Sequence, residues 1–283
     1  MNANLHTFLN KKPLNAFEME YIDTHAHIFA PEFDGDRDAV VAAAVAAGVR
    51  RMLLPAIDPA SNDALMQTCR QYPRNCFPMM GLHPTSVNDN PRWRDDLEQC
   101  VRLVKESPRG LFCGVGEIGL DYYWSRDFRD EQREVFVRQL ELSLEEDLPV
   151  AIHVREAWDD VMDIVLSMRG RGLKGVFHSF SGTVDMAREL CGAGDFLFGI
   201  GGPATYKKSL QRVVREMDLS LMVLETDCPY QSPQPHCGTR NEPSYIPLVC
   251  NAVAQIKGVT PDLAAQITTG NAVRMFLADV PCG

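Results

Sequence analysis

The segment YIDTHAHI, residues 21–28, sets an aspartate and two histidines at alternate positions behind an apolar pair. Side chains two apart share one face of a strand, whereas on a helix they diverge by roughly 200°. As a strand, this segment gives His25 and His27 a common face, and two imidazoles on one face can grip a single cation. Three more histidines follow short apolar runs: His83 in MMGLH, His153 in VAIHV and His178 in GVFHS. Glu117 in GVGEIGLD and Asp227 in VLETDCP end similar runs. A carboxylate buried in such surroundings is costly unless it is paired, protonated or bound to metal. Of the seven histidines only His6 and His236 lie away from strand ends, a sorting that scattered surface histidines would not produce.

Metal binding explains this set better than coincidence. One catalytic zinc commonly takes three protein ligands plus water, so six donors suit two ions about 3.5–4 Å apart. The expected arrangement places His25, His27 and Asp227 around one ion and His153 with His178 on the other, with the Glu117 carboxylate bridging them. Imidazole and carboxylate accept Zn, Mn and related ions, and carboxylate-rich sites also take Mg. One or two divalent ions are therefore expected, and a water they share would be acidified into a nucleophile near neutral pH. Asp227 and Glu117 are the catalytic candidates, Asp227 as ligand and proton acceptor together. Asp23 shares a strand face with the two histidines and could orient one imidazole, and Glu225 points the same way as Asp227. Arg155, two after His153, and Arg240, in GTRNEP, are candidates for holding an anionic substrate. Lys207 and Lys208 read as solvated surface lysines, and Cys228 has no implied base that would make it a nucleophile.

Stepping along the chain, eight short apolar runs alternate with helical patterns: MEYIDTH, VRRMLLPAI, CFPMMGLH, LFCGVGEIGL, LPVAIHV, KGVFHSF, DFLFGIGG and SLMVLETD. They are too short for helices and apolar throughout, as strands buried on both faces are. Between them DRDAVVAAAVAAG opens with acids and closes on Gly48. In DEQREVFVRQLELSLEED, Phe136, Leu140 and Leu144 recur at helical spacing. Thr260 and Pro261 form an N-cap and first turn for TPDLAAQITTGNAVRMF. Eight strand–helix alternations predict an α/β fold, a TIM-type (β/α)8 barrel in a single domain over 21–283, with residues 1–20 as an arm against the first strand. An open doubly wound sheet is the rival, but barrel closure alone gathers all the polar strand ends at one mouth.

The chain has 283 residues, 45 % hydrophobic and 23 % charged, enough to fill such a core. No apolar run approaches a membrane span, and the polar N-terminus lacks the features of a secretory signal. Nine dispersed cysteines without a CxxC pair fit reduced thiols in a cytoplasmic protein. A net charge of −10 argues against a protein that coats nucleic acid through a basic face, though not against an enzyme that holds one or two phosphates.

The segments IDTHAH, GLHP, VGEIGLDYY, PVAIHVREA, HSFSG, LETDCPY, RNEPSYIP and GNAVRMF, taken in order, resemble the signatures of the TatD-type metal-dependent hydrolases, a branch of the amidohydrolase-like barrels. The resemblance covers 21–276. It implies a barrel with a divalent metal centre at its mouth, held by His25, His27, Glu117, His153, His178 and Asp227, with His83 near the substrate. Many related barrels bridge their metals with a modified lysine on strand four, and Glu117 stands there instead. The family's members are described as deoxyribonucleases, so DNA is the expected substrate, cleaved as a phosphodiester by a monomer or weak oligomer. A small ester, lactone or amide is the alternative substrate for the same site, and a non-catalytic barrel stabilised by metal is the remaining one.

Overall fold

The computed structural model describes residues 20–278. The arm expected at 1–20 lies, except for Glu20, outside the described residues. Eight parallel strands form one sheet in chain order. They are β1 Tyr21–Asp23, β2 Val49–Pro55, β3 Cys76–Met80, β4 Gly114–Asp121, β5 Val150–Arg155, β6 Lys174–Phe177, β7 Asp195–Ile200 and β8 Met222–Leu224. The ring closes just beyond the short terminal strands. Thr24 N donates to Leu224 O at 3.0 Å, Asp227 N to His25 O at 2.8 Å, and Ala26 bridges Cys228 in parallel.

The helices are α1 Arg37–Ala46, α2 Asn62–Gln71, α3 Trp93–Glu106, α4 Arg129–Glu145, α5 Trp158–Ser167, α6 Val184–Cys191, α7 Lys208–Glu216, α8 Ile246–Lys257 and α9 Pro261–Phe276. Thr260 caps α9 as its sequence predicts, accepting from Leu263 N at 3.3 Å. On α4 the buried stripe runs through Val135, Phe136, Gln139 and Leu140, with Leu144 on its flank, because two glutamines turn inward to bond backbone groups of the strand loops.

The interior is layered by the two-residue period of the strands. Ile22, Leu53, Met79, Ala151, Val176, Leu197 and Val223 form an apolar floor. Ala272, Met275 and Phe276 of α9, with Leu277, pack against it from below. Two residues further along, the same faces turn polar: Ala151 leads to His153, Val176 to His178, and Val223 to Glu225. Barrel closure thus carries each of these side chains from a dry bottom to one shared mouth.

Candidate metal centre

Glu117 is the hub. It sits where the β4–β5 register shifts between Val115 and Ile118, and its carboxylate is buried. One oxygen, Oε2, lies 3.0 Å from His25 Nε2 and 3.6 Å from His27 Nε2. The other, Oε1, lies 3.0 Å from His153 Nδ1, 3.5 Å from His83 Nε2 and 3.7 Å from His178 Nε2. Asp227 Oδ1 stands 3.6 Å from His27 Nε2, 3.9 Å from His25 Nε2 and 3.8 Å from His178 Nε2. The nitrogens of His25 and His27 are only 3.1 Å apart. All six predicted donors therefore meet in one place, and the two oxygens of Glu117 face two different groups of imidazoles.

These residues fit divalent cations on their geometry. Two donors on one ion, at bond lengths of about 2.0–2.2 Å, lie at most about 4.4 Å apart. The mutual separations of His25, His27 and Asp227 fall inside that limit.

Tautomers sort the imidazoles by role. His153 Nε2 is 2.9 Å from Asp121 Oδ2, and His178 Nδ1 is 3.2 Å from Glu225 Oε1, the latter off the straight line of a strong hydrogen bond. A carboxylate on one ring nitrogen fixes the proton there and frees the lone pair of the other for a cation. Both free lone pairs then point at Glu117 and the pocket. His83 differs. Its Nδ1 accepts from Thr85 N at 3.2 Å, so the proton sits on Nε2 and the ring presents a donor to the pocket. That suits a contact to substrate better than a bond to metal, although His83 also groups with Glu117 and His153.

The electrostatics reflect the crowding of charge around Glu117. Burial opposes ionisation of Glu117, but His25, His83 and His178 overcome it and hold the carboxyl well below its usual range. Asp227 is likewise penalised by burial, yet His178 and its neighbours bring it down to about 2. Burial works against charge on His178, while Glu225, Asp227 and Glu117 push it up to about 10. His25 and His83 are driven the other way, chiefly by burial. Carboxylates that draw both His153 and His178 toward the charged form make a negative pocket, which a cation would satisfy directly.

Two expectations change on the structure. Asp23 orients backbone and not an imidazole: it accepts from His25 N at 3.2 Å, Thr226 N at 2.9 Å and Thr226 Oγ1 at 2.5 Å, tying β1 to the chain after β8. Full burial pushes its carboxyl up to about 8. Arg240 is committed elsewhere. It pairs with Asp36 at 2.6 Å and Glu242 at 3.0 Å and lies over the Phe33 ring, so it is not offered to an anion in the cavity. Arg155 does line the cavity, with Lys207, and among the described residues no carboxylate pairs with either. Glu225, expected only to point the same way as Asp227, lies beside His178 and accepts from Ser179 N at 2.5 Å. Gly199 makes room for it, since a Cβ there would fall 2.1 Å from the Glu225 carboxylate.

Asp121 was missed by the sequence reading. It follows Glu117 by four, and the signal for it was the buried acid in GEIGLD. Gln231 was missed too: its Nε2 donates to Asp227 Oδ2 at 2.6 Å. Asp227, Ser179 and Gln231 all adopt left-handed backbone, with φ of 59°, 45° and 54°. That costs about 1–2 kcal/mol each and gathers at the rim, where positions are set by what the side chains must face.

A family model described as "TatD related DNase" matches residues 22–277. The chain belongs to this family. It is 36 % identical over 257 residues to "Uncharacterized metal-dependent hydrolase YabD" of Bacillus subtilis (strain 168), covering 90 % of this chain and 98 % of that protein. It is 29 % identical over 263 residues to "Deoxyribonuclease TATDN3" of Homo sapiens, covering 90 % and 94 %. The crystal structure of YjjV, a TatD homologue from Escherichia coli K12, superposes with a TM-score of 0.83 at 28 % identity, covering 93 % of this TatD family chain and 99 % of that one. No helix among its described residues is long and apolar enough to cross a membrane.

Proposed function

We propose that this TatD family chain is a divalent-metal-dependent hydrolase that cleaves DNA phosphodiesters. The observation that carries this reading is Glu117, one carboxylate with an oxygen directed at each of two imidazole groups, at the floor of a cavity of about 840 Å³. The deoxyribonuclease name of its human relative supports the choice of substrate. His25, His27 and Asp227 would hold one ion, and His153 and His178 the other, with Glu117 between. Cations so held lower the pKa of a bound water toward neutrality and neutralise charge developing on a phosphoryl oxygen.

The chain's own groups do the rest. Asp227, ionised and steadied by Gln231, accepts the proton of the attacking water. His83 donates from Nε2 to a phosphate oxygen. Arg155, which pairs with no carboxylate among the described residues, meets a neighbouring phosphate. Asp121 and Glu225 keep the imidazoles of His153 and His178 turned inward. The eight cysteines of the described region are all unpaired, which supports work in the reducing cytoplasm.

A second reading keeps the site and changes the substrate to a small ester, lactone or amide. The net charge of −10 and the neutralisation of Arg240 favour it. The two separate on a direct comparison of single-stranded oligonucleotide with a carboxyl-ester panel, each with Mg, Mn or Zn and after chelation. Cleavage of the oligonucleotide that stops on chelation, returns on add-back and falls steeply with salt is the expected result. Ester turnover with intact oligonucleotide would replace the first reading by the second.

A further inference from the structure

Just past β4 the chain exposes two aromatic rings in succession. Tyr123 is 50 % and Trp124 67 % exposed, and their rings meet edge to face at 5.0 Å. The guanidinium of Arg155, from the end of β5, lies 3.7 Å over the Tyr123 ring and 5.6 Å from that of Trp124. Of the other two tryptophans, Trp93 is buried, and Trp158, part-buried at the wall of the cavity, has its ring stacked on Phe177. Two large rings exposed side by side form a contiguous apolar patch of the kind that marks a ligand groove. Trp124 and Arg155 line the same cavity whose floor carries Glu117 and the imidazoles, so what covers the ring is continuous with what reacts. A planar π-face beside a free guanidinium is the pairing that takes a base on one and its phosphate on the other.

We propose that Trp124, with Arg155 held against Tyr123, is a stacking subsite for an unpaired nucleobase flanking the scissile phosphate. This rests on the phosphodiesterase reading above and adds to it the residue that grips the strand. Inside a duplex, neighbouring base pairs cover both faces of every internal base, so away from the ends the platform can be filled only by a base outside the stack. The subsite therefore favours single strands through shape, with no basic patch, which answers how an acidic protein can take such a substrate. Trp124 acts as a positioning residue for the strand and takes no part in the bond cleavage.

The test uses the metal-loaded full chain as wild type, Trp124→Ala and Trp124→Phe. The probe is a single-stranded oligonucleotide with 2-aminopurine beside the cleaved phosphate, offered alone and annealed to its complement. Methyl p-nitrophenyl phosphate serves as a diester without a base. Loss of one stacked base corresponds to a rise in KM of about 5-fold to 150-fold for Trp124→Ala on the single strand. Its kcat is expected to stay near wild type, the preference over duplex to narrow, and Trp124→Phe to recover most of the loss. Aminopurine quenching on binding is expected with wild type and Trp124→Phe and not with Trp124→Ala. If wild type cuts the oligonucleotide while Trp124→Ala matches it in KM and quenching, the subsite is wrong and the phosphodiesterase reading stands. If Trp124→Ala also loses the small diester, Trp124 serves the centre or the fold, and the subsite is again wrong. If wild type leaves DNA uncut, both readings fall together.

Discussion

The two ends of the barrel are made from the same strands and differ in what holds them. At the bottom, Ile22, Met79, Val176 and Val223 meet Met275 and Phe276 of α9 in an apolar layer that any well-filled set of similar volume could replace. At the mouth, beyond the ends of that layer, imidazoles and carboxylates stand 2.9–3.9 Å apart with little freedom of exchange. The difference teaches a division of labour. Closure of the barrel is driven from below by burial of apolar surface, and the energy so gained tolerates buried carboxylates and left-handed backbone above.

This contrast can be broken in order of expected effect. Asp227→Asn is expected to lower kcat by about 10²–10⁴-fold while leaving the melting temperature close to wild type, read by steady-state kinetics and thermal unfolding. An equal collapse of stability would show that the mouth also carries the fold. Phe276→Ala should do the reverse, costing about 3–5 kcal/mol in denaturant unfolding with kcat per folded molecule retained. Asp121→Asn sharpens the picture within the mouth. Without that carboxylate the His153 proton is no longer fixed on Nε2, and affinity for Mn or Zn, measured by titration calorimetry, is expected to fall about 10–100-fold.

The smallest effect lies on the outer wall, away from both ends. Asp160 bonds Tyr122 and pairs with Arg129 and Arg133. Burial would raise its carboxyl, but these three partners bring it down to about 2. A carboxyl with a native pKa below its unfolded value of about 3.9 stabilises fully above that value. That contribution, about 1 kcal/mol, should be present at pH 7 and fade as pH falls from about 4 to 2. Chemical denaturation of Asp160→Asn against wild type across that range reads it. A gap that widened in acid would contradict the sign.

The strands were legible because doubly buried strands leave uninterrupted apolar runs, and the donors because each ends one of those runs. What stayed hidden depends on partners far away in sequence. Arg240 reads as a free cation until Asp36, 204 residues earlier, is seen beside it. That pairing also explains why Asp36, which opens α1 in the sequence pattern, makes no capping bond with its own side chain. Asp23 looks like a partner for an imidazole, because alternation puts it on the right face. Thr226 claims it instead, across a seam that exists only once the ring has closed. Asp121 could not be chosen over other acids without the register that sets β4 beside His153.

The seal that α9 places under the apolar floor has a consequence for traffic. A barrel stoppered at one end is a cup and not a tube. No polymer can be reeled through it, and whatever is cut must back out past the next molecule waiting to enter. Short fragments released there should thus compete with fresh substrate for the same cavity, and turnover should slow as they accumulate.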